Sequence, residues 1–194
     1  HGYIWRDEGC ASPRGIIQVA HGMAEHIERY DDFARFLASK GFIVGGYDHL
    51  AHGESVSQST SWGELDPRNG ANHLIEDVHR MRSYMLAHTP AGLPYFVFGH
   101  SMGSYIMRDY IARHGDGLAG AILCGTGYVA PIVSKAGNML SRAIAAIRGK
   151  GYESKLLDSM AAGGFNRVID DPRTEADWIS ANEENVDRYL ADEK

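Results

Sequence analysis

Strands alternating with helices predict an α/β fold: a mostly parallel sheet with helices on both faces. Three observations carry this expectation. Short apolar runs at Ile16–Ala20, Phe42–Tyr47, Tyr95–Phe98 and Leu118–Cys124 are separated by stretches of helical periodicity. Spacers of that length supply the crossovers that parallel strands require. The third run leads straight into Gly99-His100-Ser101-Met102-Gly103 and then a helical pattern, the strand–turn–helix context of a GxSxG turn. Beyond Gly127 apolar residues recur at helical spacing with no strand between them.

Taken in order, Gly2–Trp5 reads as a strand and Ile16–Ala20 as a short buried strand followed by a loop over His21–Glu28. Phe33, Phe36 and Leu37 then share one face of a helix that Gly41 can end at its C-cap. After the strand Phe42–Tyr47, a polar Ser-, Gly- and His-rich loop spans Asp48–Asn69. A second helix points Leu74, Val78, Met81 and Met85 inward, and Pro90 closes it. The helix after Ser101 carries Tyr105, Ile106, Tyr110 and Ile111 and runs to about His114. The last strand expected is Leu118–Cys124. From about 128 to 194 the chain reads as a helical insertion. Its apolar stripe includes Ile132, Val133, Met139, Leu140, Ile144 and Ile147, with further helical pieces at Leu156–Met160 and Asn182–Leu190. The stripe reads first as simple packing against the core, and compatibly with that as a lid whose inner face lines an acyl-chain pocket.

Composition narrows the function classes. A length of 194 residues and 44% hydrophobic content suit one soluble globular domain with a sizeable core. A net charge of −6, without clustered Lys and Arg, argues against a nucleic-acid partner. No apolar run approaches the roughly 18 residues that span a bilayer, so no membrane span is expected. Cys10 and Cys124 form neither a disulfide framework nor a CxxC pair, which favours a reduced, cytoplasmic setting. His21 and His26, and His49 and His52, sit on loops rather than in a helical HExxH arrangement, so no metal and no cofactor is expected.

The candidate nucleophile is Ser101. Gly99 and Gly103 flank it, where a Cβ would collide as strand and helix approach each other.

Three segments together resemble the monoacylglycerol lipases and lysophospholipases of the α/β-hydrolase fold. They are His21-Gly22-Met23-Ala24-Glu25-His26 (HGxxEH), the elbow Gly99-His100-Ser101-Met102-Gly103 (GHSMG), and Asp48-His49-Leu50-Ala51-His52-Gly53-Glu54-Ser55 (DHxGHGxS), with Ala51 where the family carries Gly. Lys155-Leu156-Leu157 and Asp177-Trp178-Ile179-Ser180 resemble the family's cap, and the likeness runs from about Arg14 onward. The resemblance implies an oxyanion hole made by the backbone N–H groups of Met23 and Met102, supported by His21, Gly22, Gly99 and Gly103. It also implies that Glu25, His26, Asp48, His49 and His52 brace loops rather than do chemistry. The implied activity is hydrolysis of a small lipid-like carboxylic ester through an acyl-enzyme. A non-catalytic relative that binds an apolar ligand or serves as a scaffold stays open, as does peptidase activity.

A serine hydroxyl needs a histidine base oriented by a carboxylate, and on this fold both follow the serine in sequence. The only histidine after Ser101 is His114. It lies thirteen residues along the helix, roughly 20 Å away, so it cannot serve. The resemblance implies that acid and base lie beyond the cap. Residues 1–127 are therefore expected to be the N-terminal part of a core with an incomplete sheet, 128–194 its cap, and the C-terminal core part absent. Such a chain would be nearly inert alone, and its open edge at Leu118–Cys124 would favour self-association.

Overall fold

The computed structural model describes residues 1–56, 62–149, 151–161 and 164–192. Part of the Asp48–Asn69 loop, residues 57–61, lies outside the described residues. The chain divides into two compact units, His1–Gly127 and Tyr128–Glu193.

In the first unit, five strands form one sheet among the described residues: β1 (Gly2–Trp5), β2 (Gly15–Ala20), β3 (Phe42–Tyr47), β4 (Tyr95–His100) and β5 (Leu118–Cys124). Their order is β1-β3-β2-β4-β5. Only β1 runs antiparallel, pairing Gly2 with Tyr47 and Trp5 with Val44. The other pairs are parallel. The crossovers are α1 (Asp31–Ser39), α2 (Gly70–His88) and α3 (Met102–His114).

Side chains alternate across a strand, and the sheet divides its apolar residues accordingly. Ile16, Ile43 and Val97 pack with Leu74, Val78 and Met85 of α2 and Ile106 and Tyr110 of α3. Their neighbours Ile17 and Val44 pack on the opposite face with Trp5, Ile27, and Ala34 and Ala38 of α1. Strand β2, flanked by strands and covered on both faces, is buried at every position. It nevertheless carries Gln18, which donates to the Val78 carbonyl at 3.1 Å and accepts the Tyr95 hydroxyl at 2.6 Å. The polar group is satisfied, as burial demands.

The structure shows which side chains of these elements are covered. Helix α1 buries Ala34 and Ala38 rather than the Phe33/Phe36 face; Phe36 is 56% exposed, and Phe33 lies over the Phe98 ring at 5.3 Å. On α3 the buried face is Ile106, Met107 and Tyr110, while Tyr105 is exposed. Strand β5, which among the described residues pairs with β4 alone, has exposed Ala119, Ala121, Ile122 and Cys124, so its surface as well as its edge is open.

The second unit is helical: α4 (Pro131–Arg148), α5 (Lys155–Ala161) and α6 (Glu183–Leu190), with 3-10 turns at Phe165–Val168 and Asp177–Ile179. Pro131 opens α4, where its missing N–H costs nothing. No residue of α4 is buried, and Ile132, Val133, Met139 and Ile147 are exposed. The Asn182 side chain caps α6 by accepting the Glu184 N–H at 3.0 Å. Arg173 pairs with Asp187 at 2.7 Å, and Phe165 lies 4.9 Å from Trp178.

Candidate active site

Ser101 stands alone between β4 and α3 with φ 49° and ψ −119°. An L-residue occupies that region at a cost of about 1–3 kcal/mol, so neighbouring bonds must hold it. Its N–H donates to the Cys124 carbonyl at the end of β5 at 3.0 Å. Its carbonyl accepts both the N–H (2.9 Å) and the hydroxyl (2.6 Å) of Ser104 in the first turn of α3. The elbow is thus pinned from both sides.

Close approach explains the glycines around it. A Cβ on Gly103 would lie 2.2 Å from the Ala20 carbonyl oxygen, and one on Gly99 would lie 2.5 Å from the Gly103 carbonyl oxygen. The contact with Ala20 brings the first turn of α3 against the end of β2, where the His21–Glu25 loop begins. A Cβ on Gly22 would come 3.2 Å from the Ser101 Cβ, so the loop passes directly beside the serine. Met23 follows, 59% exposed. Among the described residues, neither the Met23 nor the Met102 N–H donates a hydrogen bond. Met102 opens α3, where orphan N–H groups and the positive end of the helix favour an anion.

Behind this loop lies a buried histidine group. The His21 Nε2 accepts the His49 backbone N–H at 2.9 Å, which leaves the proton on Nδ1, placed 2.7 Å from the Gly22 carbonyl. The His49 Nε2 reaches the His21 carbonyl at 3.2 Å. The His52 Nδ1 reaches the Leu50 carbonyl at 3.0 Å, and its ring lies 5.4 Å from that of His21. Burial lowers the pKa of His21 from 6.5 to about 4, with the neighbouring His52 adding to the effect. Burial also pushes His49 well below its usual value, helped by His21 and His52. Both rings are therefore neutral braces. Because both nitrogens of His21 are engaged, it has no lone pair for a metal. No three His, Cys, Asp or Glu side chains among the described residues gather where an ion could be held.

Asp48 staples two loops, accepting the Ile27 N–H and the Glu54 N–H at 2.9 Å each. Ala51 adopts a left-handed conformation with φ 62° although its side chain is buried. His114 lies at the far end of α3, 3.3 Å from Glu76 and stacked on His79.

One interaction was not readable from sequence. The Glu25 carboxylate accepts the Gly22 N–H in a short hydrogen bond, the Tyr30 hydroxyl at 2.9 Å and the His100 Nδ1–H at 3.2 Å. Burial would raise the pKa of Glu25, but the bonds from His100, Gly22 and Tyr30 outweigh it and hold the carboxyl below its ordinary value. The same bond raises the pKa of His100 against partial desolvation. Both residues stand in the motifs, yet a pairing across 75 positions has no local signal.

A model of the family described as serine aminopeptidase, S33 (Hydrolase_4) matches residues 11–194. The chain is 30% identical over 189 residues to a monoacylglycerol lipase of Mycolicibacterium smegmatis, covering 97% of this chain and 58% of that protein. It is 31% identical over 125 residues to human monoglyceride lipase, covering 61% of this chain and 36% of the human protein. Among solved structures, a highly thermostable carboxyl esterase from Bacillus coagulans, in complex with glycerol, superimposes with a TM-score of 0.85 at 37% identity. That match covers 99% of this chain and 60% of the esterase. A lipase in its open form gives a TM-score of 0.83 at 27% identity. The chain therefore spans between 36% and 61% of the length of these relatives.

Proposed function

Because the chain belongs to the Hydrolase_4 family, described as serine aminopeptidase S33, and has the α/β-hydrolase fold, we propose that it carries the nucleophile and oxyanion site of a carboxylic ester hydrolase. The substrate class is a small lipid-like ester of monoacylglycerol or lysophospholipid type. Ser101 Oγ attacks the ester carbonyl, and the Met23 and Met102 N–H groups receive the oxyanion. The alcohol leaves to give an acyl-enzyme, and water then releases the acid. Donors aimed at charge that develops only in the tetrahedral state are worth about 3–4 kcal/mol each.

The observation that supports this most is the left-handed backbone of Ser101 at the β4–α3 junction, with the Gly22 segment packed against it. Residues 1–127 act as core and the helical unit from 128 as cap. Among the described residues this reading assigns no base to the serine: His21 and His49 are held neutral by burial, and His114 is on the far end of α3. Base and acid are assigned to polypeptide outside residues 1–194, so this chain alone turns over slowly.

A short-chain chromogenic ester, a monoacylglycerol and an aminoacyl amide, each offered to the chain and to Ser101→Ala, test the reading. Weak Ser101-dependent ester cleavage that exceeds amide cleavage is the expected pattern. High Ser101-dependent turnover would overturn the external base, and preference for the amide would overturn the ester class.

A further inference from the structure

The mechanism above uses neither Glu25 nor His100 in a chemical step, although the pair sits between the two segments that must be held in register. Gly22 is confined on one side by Ser101 and on the other by Glu25: a Cβ built on it would lie 3.2 Å from the Ser101 Cβ and 2.6 Å from the Glu25 Oε1. The loop folds back on itself through Ala24, whose φ of 55° is a left-handed conformation that a non-glycine residue adopts only when held. The holding group is the Glu25 carboxylate. Its three donors come from three places: Gly22 within the loop, Tyr30 on the 3-10 turn ahead of α1, and His100 at the end of β4, next to Ser101. A carboxylate accepting charge-assisted bonds is a stronger tie than a neutral acceptor.

We propose that Glu25 is a positioning residue: its carboxylate clamps the Gly22–Met23 segment to the elbow through His100 and Tyr30, and so fixes the Met23 N–H opposite Ser101. This rests on the reading of Met23 as an oxyanion donor. All three donors converge on the Glu25 Oε1; neutralising the carboxylate leaves them an uncharged, weaker acceptor, and the strained Ala24 turn relaxes. The Met23 N–H then drifts from the serine while Met102, anchored in α3, stays in place. The two donors therefore respond differently to the same substitution, which a general loss of stability would not produce.

The test uses an alkylboronic acid and amide NMR of the 194-residue chain. Boron accepts a lone pair from Ser101 Oγ, the hydroxyl proton goes to solvent, and the tetrahedral adduct presents an oxyanion without need of a catalytic base. In the wild-type chain the Met23 and Met102 amides are expected to move downfield together. In Glu25→Gln the Met102 shift is retained and the Met23 shift is lost. Boronate affinity falls about tenfold or more, and the His100 pKa returns toward 6.5. His100→Gln, which removes the other half of the pair at a partly exposed site, weakens the Met23 shift in the same direction and decides the matter if Glu25→Gln does not fold. Folded variants with an undiminished Met23 shift and unchanged boronate affinity overturn the clamp while leaving the donor reading intact. Absence of the adduct, or of the Met23 shift, in the wild-type chain overturns the donor reading and the clamp with it.

Discussion

Acidification from pH 7 to 5 is expected to destabilise the first unit by about 2 kcal/mol through His21 alone. The ring is buried, and its Nε2 must stay unprotonated to accept the His49 N–H. In the unfolded chain a histidine titrates near 6.5, whereas the folded ring holds off its proton until about pH 4. Between those values the unfolded state binds a proton that the native state refuses. Stability therefore falls as pH drops from about 6.5, reaches a loss of about 3 kcal/mol near pH 4, and changes no further through this group below that. His49 is lowered for the same reason and adds to the loss. His100 works in the opposite sense: its raised pKa adds stability below 6.5 that is lost as pH climbs through the folded value, and its partial exposure keeps that contribution small. Against a typical 5–15 kcal/mol of total stability, 2 kcal/mol is readily measured by urea unfolding at the two pH values. Histidine Cε1 NMR assigns the titration to its ring. His21→Phe, which cannot titrate, should lose about 2 kcal/mol less than wild type between pH 7 and 5. An equal loss in both proteins, or a His21 ring titrating near 6.5, would refute the buried neutral brace.

Other outcomes follow from single contacts. Ser101→Gly removes the strain at φ 49° and should raise stability by about 1 kcal/mol in thermal unfolding while abolishing acylation. Gly103→Ala forces a Cβ into the Ala20 carbonyl and should lower stability by about 2 kcal/mol or more; an unchanged melting midpoint would show that α3 can move away. Ala51→Gly relieves a left-handed alanine and should gain about 0.5 kcal/mol in urea unfolding, the turn strain exceeding the added chain entropy. Tyr95→Phe removes the hydroxyl that Gln18 accepts inside the sheet and should cost about 1–3 kcal/mol.

Much of this fold can be read from local pattern. The runs at Ile16–Ala20, Phe42–Tyr47 and Leu118–Cys124 occur as strands within a residue of their expected bounds, and the helix after Ser101 ends at His114. Helix faces were harder to read. Phe33 and Phe36 lie at helical spacing, but so do Ala34 and Ala38, and the close packing of α1 on β3 admits the smaller pair. The exposure of β5 depends on what lies beyond an edge, which no periodicity within the strand reports. The antiparallel direction of β1 is equally silent in four residues. At the candidate site, the motifs nominate the segments His21–Met23 and Gly99–Gly103, and the structure brings them together at Gly22 and Ser101. The Glu25–His100 bond between those segments depends on tertiary contact alone, and only the fold reveals it.

Peptide mapping after exposure to an excess of an activated short-chain ester addresses the nucleophile itself. Under the proposal that none of the described residues serves as the base that activates water, an acyl group transferred to the protein should persist long enough to be located by mass spectrometry. An acyl group confined to Ser101, and absent from Ser101→Ala, is the expected result. Acylation at other residues, undiminished in Ser101→Ala, would show that the hydroxyl at the β4–α3 turn is not the reacting group.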